Sequence, residues 1–197
     1  MPTKLLLIRH GQTEWNLQKR YCGSADLWLN ACGKKEAEKL RKRLKDNPVY
    51  KIYSSDRKRA VQTARIVFGR SKVKKIADLR EAHFGIFEGL TYDEIIKRHP
   101  VIYKRWLKDP FSITIPQGES LRKFKKRVVG AFKKIVALNT DKTVAIVCHG
   151  GAISVFLNHV LRSKGFWKQI PKSASLSIVE YTKGKPKIKL FSDTTHL

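Results

Sequence analysis

Two kinds of apolar pattern alternate along the chain. Leu5–Ile8 and Thr143–Val147 are near-continuous aliphatic runs, as expected of strands covered on both faces. Tyr50–Tyr53 and Val73–Ile76 read as two further strands. Between such runs the apolar positions recur every three or four residues, the period of a helix with one buried stripe. Asn30 can cap a helix whose Ala37, Leu40 and Leu44 share a face and which stops near Asp46-Asn47-Pro48. Ala60, Ala64 and Val67 mark a second helix, ended by Gly69. A third runs from Ser120 to about Leu138, with Leu121, Phe124, Val128, Ala131 and Ile135 on one stripe, and Gly150–Leu161 is a fourth. Leu176–Tyr181 and Lys187–Phe191 read as late strands, joined by a turn through Lys183-Gly184-Lys185-Pro186.

Strand alternating with helix predicts the α/β class: a three-layer α/β/α sandwich with a mostly parallel central sheet and a small cap-like insertion. The insertion is expected at about residues 82–118, within the least regular stretch, Asp78–Gln117, where Gly85, Gly89, Pro100, Pro110 and Pro116 fall. A long irregular excursion in a compact domain usually covers a site. With no internal repeat or linker, residues 1–197 read as a single domain, long enough to bury a core without disulfides.

Composition narrows the class. Apolar residues make up 42% of the chain, too many for one that stays disordered. No apolar run approaches the roughly 20 residues of a membrane span, and Leu5–Ile8 is too short for a signal-peptide core. Cys22, Cys32 and Cys148 are odd in number and lack paired spacing, which fits a reducing, cytoplasmic setting. The 42 Lys+Arg against 16 Asp+Glu give a net charge of +26. Such charge suits a solvated lysine-rich surface, the steering of small anionic substrates, or polynucleotide binding. The cations are scattered through Lys34–Lys45, Arg57–Lys75, Lys97–Lys108, Arg122–Lys134 and Lys183–Lys189, so charge alone does not choose.

The candidate chemistry sits where two strands end alike. Leu5–Ile8 runs into Arg9-His10-Gly11, and Val144–Val147 runs into Cys148-His149-Gly150-Gly151. Each end places an imidazole at a strand's carboxyl edge, where open parallel sheets bind ligands. Each is followed by glycine, which lets backbone approach a ligand closely. There is no His-Glu-x-x-His, no paired Cys-x-x-Cys and no nucleotide-binding Gly-x-x-x-x-Gly-Lys-Ser/Thr.

The segment Leu6–Asn16, containing Arg9-His10-Gly11-Gln12-Thr13-Glu14-Trp15-Asn16, resembles the signature opening of the histidine phosphatase superfamily, the phosphoglycerate mutase-like proteins. The resemblance continues through Tyr53–Ala64, Leu79–Gly85, the Gly118-Glu119-Ser120 turn and Val147–Gly151, in family order. It implies that His10 is the nucleophile, forming a phosphohistidine, and that Arg9, Arg59 and His149 surround the transferred phosphoryl group. It also implies that Glu81 first protonates the leaving oxygen and then activates water. Glu88, seven residues on, is the rival for that acid role. Asn16 and Gln12 are expected to add phosphate hydrogen bonds, Gly150 to approach the substrate, and His196 in the tail Asp193-Thr194-Thr195-His196 to close over the site. Arg57 stands where the family often has an apolar residue, and is read as either surface or a substrate contact. Ser24 and Trp28 read as a structural loop in preference to a substrate contact, His83, His99 and His159 as structural or exposed, and Cys148 as a buried small residue.

The chemistry so implied needs no metal or other cofactor, because arginines supply the positive charge. The short span from Glu81 to His149 and the early end after the late strands resemble the small phosphatase branch more than the mutases. The expected function is therefore a metal-independent phosphomonoesterase acting on a small phosphorylated metabolite. A cofactor-dependent phosphoglycerate mutase is the alternative, and a basic nucleic-acid-binding protein on the same fold is the alternative of another class. No membrane partner is expected, nucleic acid is disfavoured, and a homodimer is allowed.

Overall fold

The computed structural model describes residues 1–69, 72–163 and 169–197; Arg70, in the second basic run, lies outside them. In chain order the elements are β1 (Thr3–Arg9), α1 (Glu14–Leu17), α2 (Ala31–Leu44), β2 (Lys51–Ser54), α3 (Lys58–Phe68) and β3 (Val73–Lys75). Then come α4 (Tyr92–Arg98), α5 (Pro100–Lys108), α6 (Leu121–Ala137), β4 (Thr143–Cys148), α7 (Gly150–Val160), β5 (Leu176–Thr182) and β6 (Lys185–Asp193). Among the described residues no helix is long and apolar enough to cross a membrane.

The six strands form one sheet in the order β3-β2-β4-β1-β5-β6. The β1–β4, β4–β2 and β2–β3 pairs are parallel, whereas β5 runs antiparallel to both β1 and β6. Alternation along the central strands builds the layers. Leu5 and Leu7 of β1, with Val144 and Ile146 of β4, join a core that contains Phe124, Val128 and Phe132 of α6 and Ile153 and Phe156 of α7. Leu6, Ile8, Ala145 and Val147 point the other way, onto Ala37, Leu40 and Leu44 of α2 and Ala60, Ala64 and Val67 of α3. Right-handed crossovers explain the division. The chain steps from β1 to β2 to β3 in one direction across the sheet, then returns to β4, so the connecting helices change face.

The sequence pattern located every strand, but two details differ. The hairpin between β5 and β6 turns tightly at Lys183-Gly184, both with positive φ, and Lys185 and Pro186 already belong to β6. The stretch expected to be irregular holds two helices. Thr91 caps α4 through a reciprocal box with Glu94, and Pro100 opens α5 at a position that needs no backbone N–H. Tyr103 and Trp106 of α5 are buried with Phe87 and Tyr21 in an aromatic cluster, with a Tyr21–Tyr103 hydroxyl hydrogen bond of 2.8 Å.

The loop after β1 is fixed by close backbone contact. Gly11 and Gly33 face each other at the start of α2, where Asn30 accepts the Gly33 N–H at 2.8 Å. A Cβ on Gly33 would lie 2.6 Å from the Gln12 nitrogen and overlap its carbonyl oxygen. Gly33→Ala is expected to destabilise the fold by about 1–3 kcal/mol, because α2 or the β1 loop must move. Urea denaturation measures this, and an unchanged midpoint would contradict the close fit.

Candidate active site

Parallel pairing places the two strand-end imidazoles side by side. Arg9 pairs with Cys148 in the β1–β4 register, and the His10 N–H donates to the Cys148 carbonyl at 3.0 Å. The His10 and His149 rings, buried at 4% and 0% exposure, lie 5.2 Å apart between centroids, edge to face. The β2 end joins them, since the Ser55 N–H donates to the Val147 carbonyl at 2.9 Å. The Ser55 hydroxyl lies 2.9 Å from His149 Nε2.

Hydrogen bonding assigns the His10 tautomer. Nδ1 lies 2.8 Å from the Gly11 carbonyl oxygen, which can only accept, so Nδ1 carries the proton and Nε2 presents its lone pair. Arg59 Nε donates to that Nε2 at 3.2 Å. Burial, with the nearby Arg59 and Arg9 guanidiniums, holds His10 well below the ordinary imidazole range. Burial and Arg59 also depress His149. Both rings are therefore neutral at pH 7.

Arg59 comes from the first turn of α3 and is fully buried. Its Nη1 donates to the Ala25 carbonyl at 2.6 Å and its Nη2 to the Gly23 carbonyl at 3.0 Å. Those carbonyls are presented by a loop that Glu88 holds. The Glu88 carboxylate accepts the Gly23, Ser24 and Phe84 N–H groups at 3.1, 2.8 and 3.0 Å. Glu88, the rival acid in the sequence, is thus committed to three backbone amides.

Glu81 reaches the site from beyond β3. Its carboxylate accepts the Gly151 N–H at 2.7 Å and the Ala82 N–H at 3.0 Å. The bare Gly151 backbone lets the carboxylate stand there, since a Cβ would lie 2.4 Å from Glu81 Oε1 and displace it. Burial raises the Glu81 carboxyl above the ordinary range, opposed by the two amides and by Arg59 and Arg9. Arg9 Nη1 donates to the Pro171 carbonyl at 2.6 Å. Among the described residues, three buried nitrogens, Arg9 Nε, Arg57 Nε and His149 Nδ1, have no hydrogen-bond partner. Buried donors of this kind fit an anion that arrives from solvent.

Arg9, His10, Arg59, Glu81 and His149 are therefore brought together; Glu81 and Arg9 also act on one another electrostatically. Gly150 belongs with them, its position lying 3.4 Å from Arg9 Nε if a Cβ is added. The remaining candidates have other partners. Asn16 accepts the Thr13 N–H and hydroxyl in the capping box of α1 at 3.0 and 2.9 Å. Gln12 accepts from the Asn30 amide at 2.9 Å. His196 is tied to the far part of α2, with Nδ1 3.1 Å from Arg43 Nη1 and Nε2 3.1 Å from the Ala174 carbonyl oxygen. Both ring nitrogens are therefore directed to partners outside the five residues at the centre. Trp28 is exposed under Lys58. His83 accepts the Gly85 N–H at 3.2 Å, His99 lies beside Phe87, and His159 is on α7. Cys148 is buried, and burial pushes its thiol up. Sequence reasoning did not single out Ser55, Gly151 or the Gly23 and Ala25 carbonyls, although Ser55 and Gly151 lie inside the motif blocks.

Among the described residues, no group of three or more His, Cys, Asp and Glu side chains is placed to hold a metal. Residues 5–194 match the model of the histidine phosphatase superfamily, branch 1. The chain is 32% identical over 202 residues to phosphoglycerate mutase-like protein 4 of Arabidopsis thaliana, covering 98% of this chain and 86% of the relative. It is 30% identical over 200 residues to a metal-independent phosphoserine phosphatase of the same plant, covering 99% and 83%. A mutant phosphoserine phosphatase of Entamoeba histolytica, solved in complex with phosphoserine, superposes with a TM-score of 0.90 at 29% identity, covering 99% of each chain.

Two outcomes follow from the geometry. In an NMR titration, the His10 and His149 rings should remain neutral as pH falls through 6.5, where an unperturbed imidazole takes up its proton. A depressed pKa moves protonation to lower pH, so a ring that charges at or above 6.5 contradicts the arrangement. Replacing Glu88 by Ala leaves three amides without their acceptor and should lower stability by about 1–3 kcal/mol. Thermal and urea unfolding measure that loss.

Proposed function

From the premise that this chain belongs to the histidine phosphatase superfamily (branch 1) and is a phosphoric monoester hydrolase, we propose that it hydrolyses small phosphate monoesters through a phosphohistidine on His10, without a metal. The observation that carries this reading is the His10 tautomer: a neutral ring whose Nε2 lone pair faces Arg59 Nε at 3.2 Å. Nε2 attacks phosphorus, and Arg59 keeps its proton while its Nε–H hydrogen bond is redirected from Nε2 to a phosphoryl oxygen. Arg9 Nε adds a second guanidinium contact, and fixed cations of this sort stabilise the spread negative charge of the transferring group. Ser55 Oγ occupies His149 Nε2 at 2.9 Å, which leaves the unpartnered Nδ1 as the ring atom that meets the phosphoryl group.

Glu81 supplies the proton. As the N–P bond forms and the P–O ester bond breaks, its carboxyl proton goes to the leaving oxygen. The raised carboxyl keeps that proton available at higher pH than an ordinary glutamate does. The resulting carboxylate then takes a proton from water, whose oxygen attacks phosphorus, releasing inorganic phosphate and neutral His10. Buried arginines supply the positive charge that a metal supplies elsewhere, and a relative bearing a metal-independent name supports the same assignment. The substrate class is a small phosphorylated metabolite, and the phosphoserine phosphatase relatives make phosphoserine the first to test.

Phosphate release from phosphoserine, phosphoglycerates and sugar phosphates, measured with chelator present, tests the proposal. His10→Ala should reduce turnover by about 10³-fold or more and abolish acid-labile labelling by a ³²P-ester, while chelator leaves the wild type unchanged. Ordinary turnover by His10→Ala overturns the nucleophile. Conversion of 3-phosphoglycerate to 2-phosphoglycerate without net phosphate release replaces hydrolysis by the mutase reading.

A further inference from the structure

The Gly118-Glu119-Ser120 turn, singled out in the sequence, holds no atom at the phosphoryl site, yet it fixes the segment that carries Glu81. Glu119 meets Arg127 of α6 fork to fork, with Arg127 Nε donating to Oε1 and Nη2 to Oε2, each at 2.7 Å. The rest of the guanidinium holds backbone. Nη1 donates to the Asp78 and Arg80 carbonyls, both at 2.9 Å, and Nη2 to the Glu81 carbonyl at 3.0 Å. All five N–H groups of Arg127 are thus in use. The Phe124 ring lies under the same guanidinium, 4.9 Å from ring centroid to Cζ. Glu119 is anchored in turn, its own N–H donating to the His83 carbonyl at 2.9 Å.

The segment so held has little regular structure of its own. Asp78–Glu81 leaves a short 3-10 turn at Ala77–Leu79 and runs directly to the acid. The Glu81 side chain is fixed at its tip by Gly151 and Ala82, while its backbone depends on Arg127. Here we propose that Arg127, oriented by Glu119, is a positioning residue for proton donation: it sets where the Glu81 carboxyl stands relative to the leaving oxygen. The inference rests on Glu81 being the general acid. A lysine cannot substitute, because one ammonium lacks the planar fork that meets a carboxylate and three carbonyls together.

The leaving group provides the test. Nitrophenolate departs without a proton, whereas the more basic phenolate depends on one, and the two esters have nearly the same shape. Single-turnover phosphorylation of the full chain is compared for phenyl phosphate and 4-nitrophenyl phosphate, in Arg127→Lys and Glu119→Gln. Both variants are checked for folding by thermal unfolding, and the milder Glu119→Gln serves if Arg127→Lys does not fold. General acid catalysis contributes about 10²–10⁴-fold, so the phenyl ester should slow at least about tenfold more than the nitrophenyl ester. In a Glu81→Gln background the same substitutions should leave that ratio unchanged. Equal slowing of both esters, or none, overturns the positioning role. If Glu81→Gln itself does not separate the two esters, the acid assignment fails, and with it the reading on which this inference rests.

Discussion

The site depends on a buried guanidinium whose hydrogen-bond partners, among the described residues, include no carboxylate. Arg59 is fully inside the protein, and its three directed contacts go to the Gly23 and Ala25 carbonyls and to an imidazole. A buried cation without an ion-pair partner is held at a free-energy cost, offset in part by the carbonyls. Burial, reinforced by its positive potential, keeps His10 neutral, and that potential favours an incoming dianion. The surrounding construction serves to keep that charge in place: Glu88 orders the loop that supplies the carbonyls, and the Gly11–Gly33 contact sets the loop that supplies the imidazole.

Two carboxylates near the paired imidazoles are set apart by what they hold. Glu88 accepts three amides and so acts on backbone. Glu81 accepts two, and burial pushes its carboxyl toward the protonated form. Spacing along the chain does not distinguish them, since both follow β3 and both precede α4 and α5. The discriminating quantity is the number of donors each must satisfy, which exists only after folding.

Much of the sheet could be read from the sequence because its signals are local. Continuous aliphatic runs marked β1 and β4, and three-to-four spacing marked α2, α3 and α6. The helices α4 and α5 were missed because Pro100 and the glycines around them read as breakers, although Thr91 and Glu94 already form a cap and Pro100 is a helix-opening residue. The motif blocks named the residues that gather at the centre. Their supports were harder to see: Ser55 meets His149 across 94 positions, and Gly151 meets Glu81 across 70. Such pairs leave no periodic trace. The positions of Asn16, Gln12 and His196 likewise follow from partners that motif spacing does not specify.

The order of strands gives part of the basic surface a purpose unrelated to substrate. The sheet is open at both sides, ending in β3 and β6. Lys74 and Lys75 lie exposed on one border, and Lys185 and Lys187 on the other. An unpaired border strand is a template on which another chain can add, and repeated lysines oppose this by mutual repulsion. These ammonium groups therefore act as gatekeepers against strand-to-strand aggregation, a protection that weakens as salt screens them.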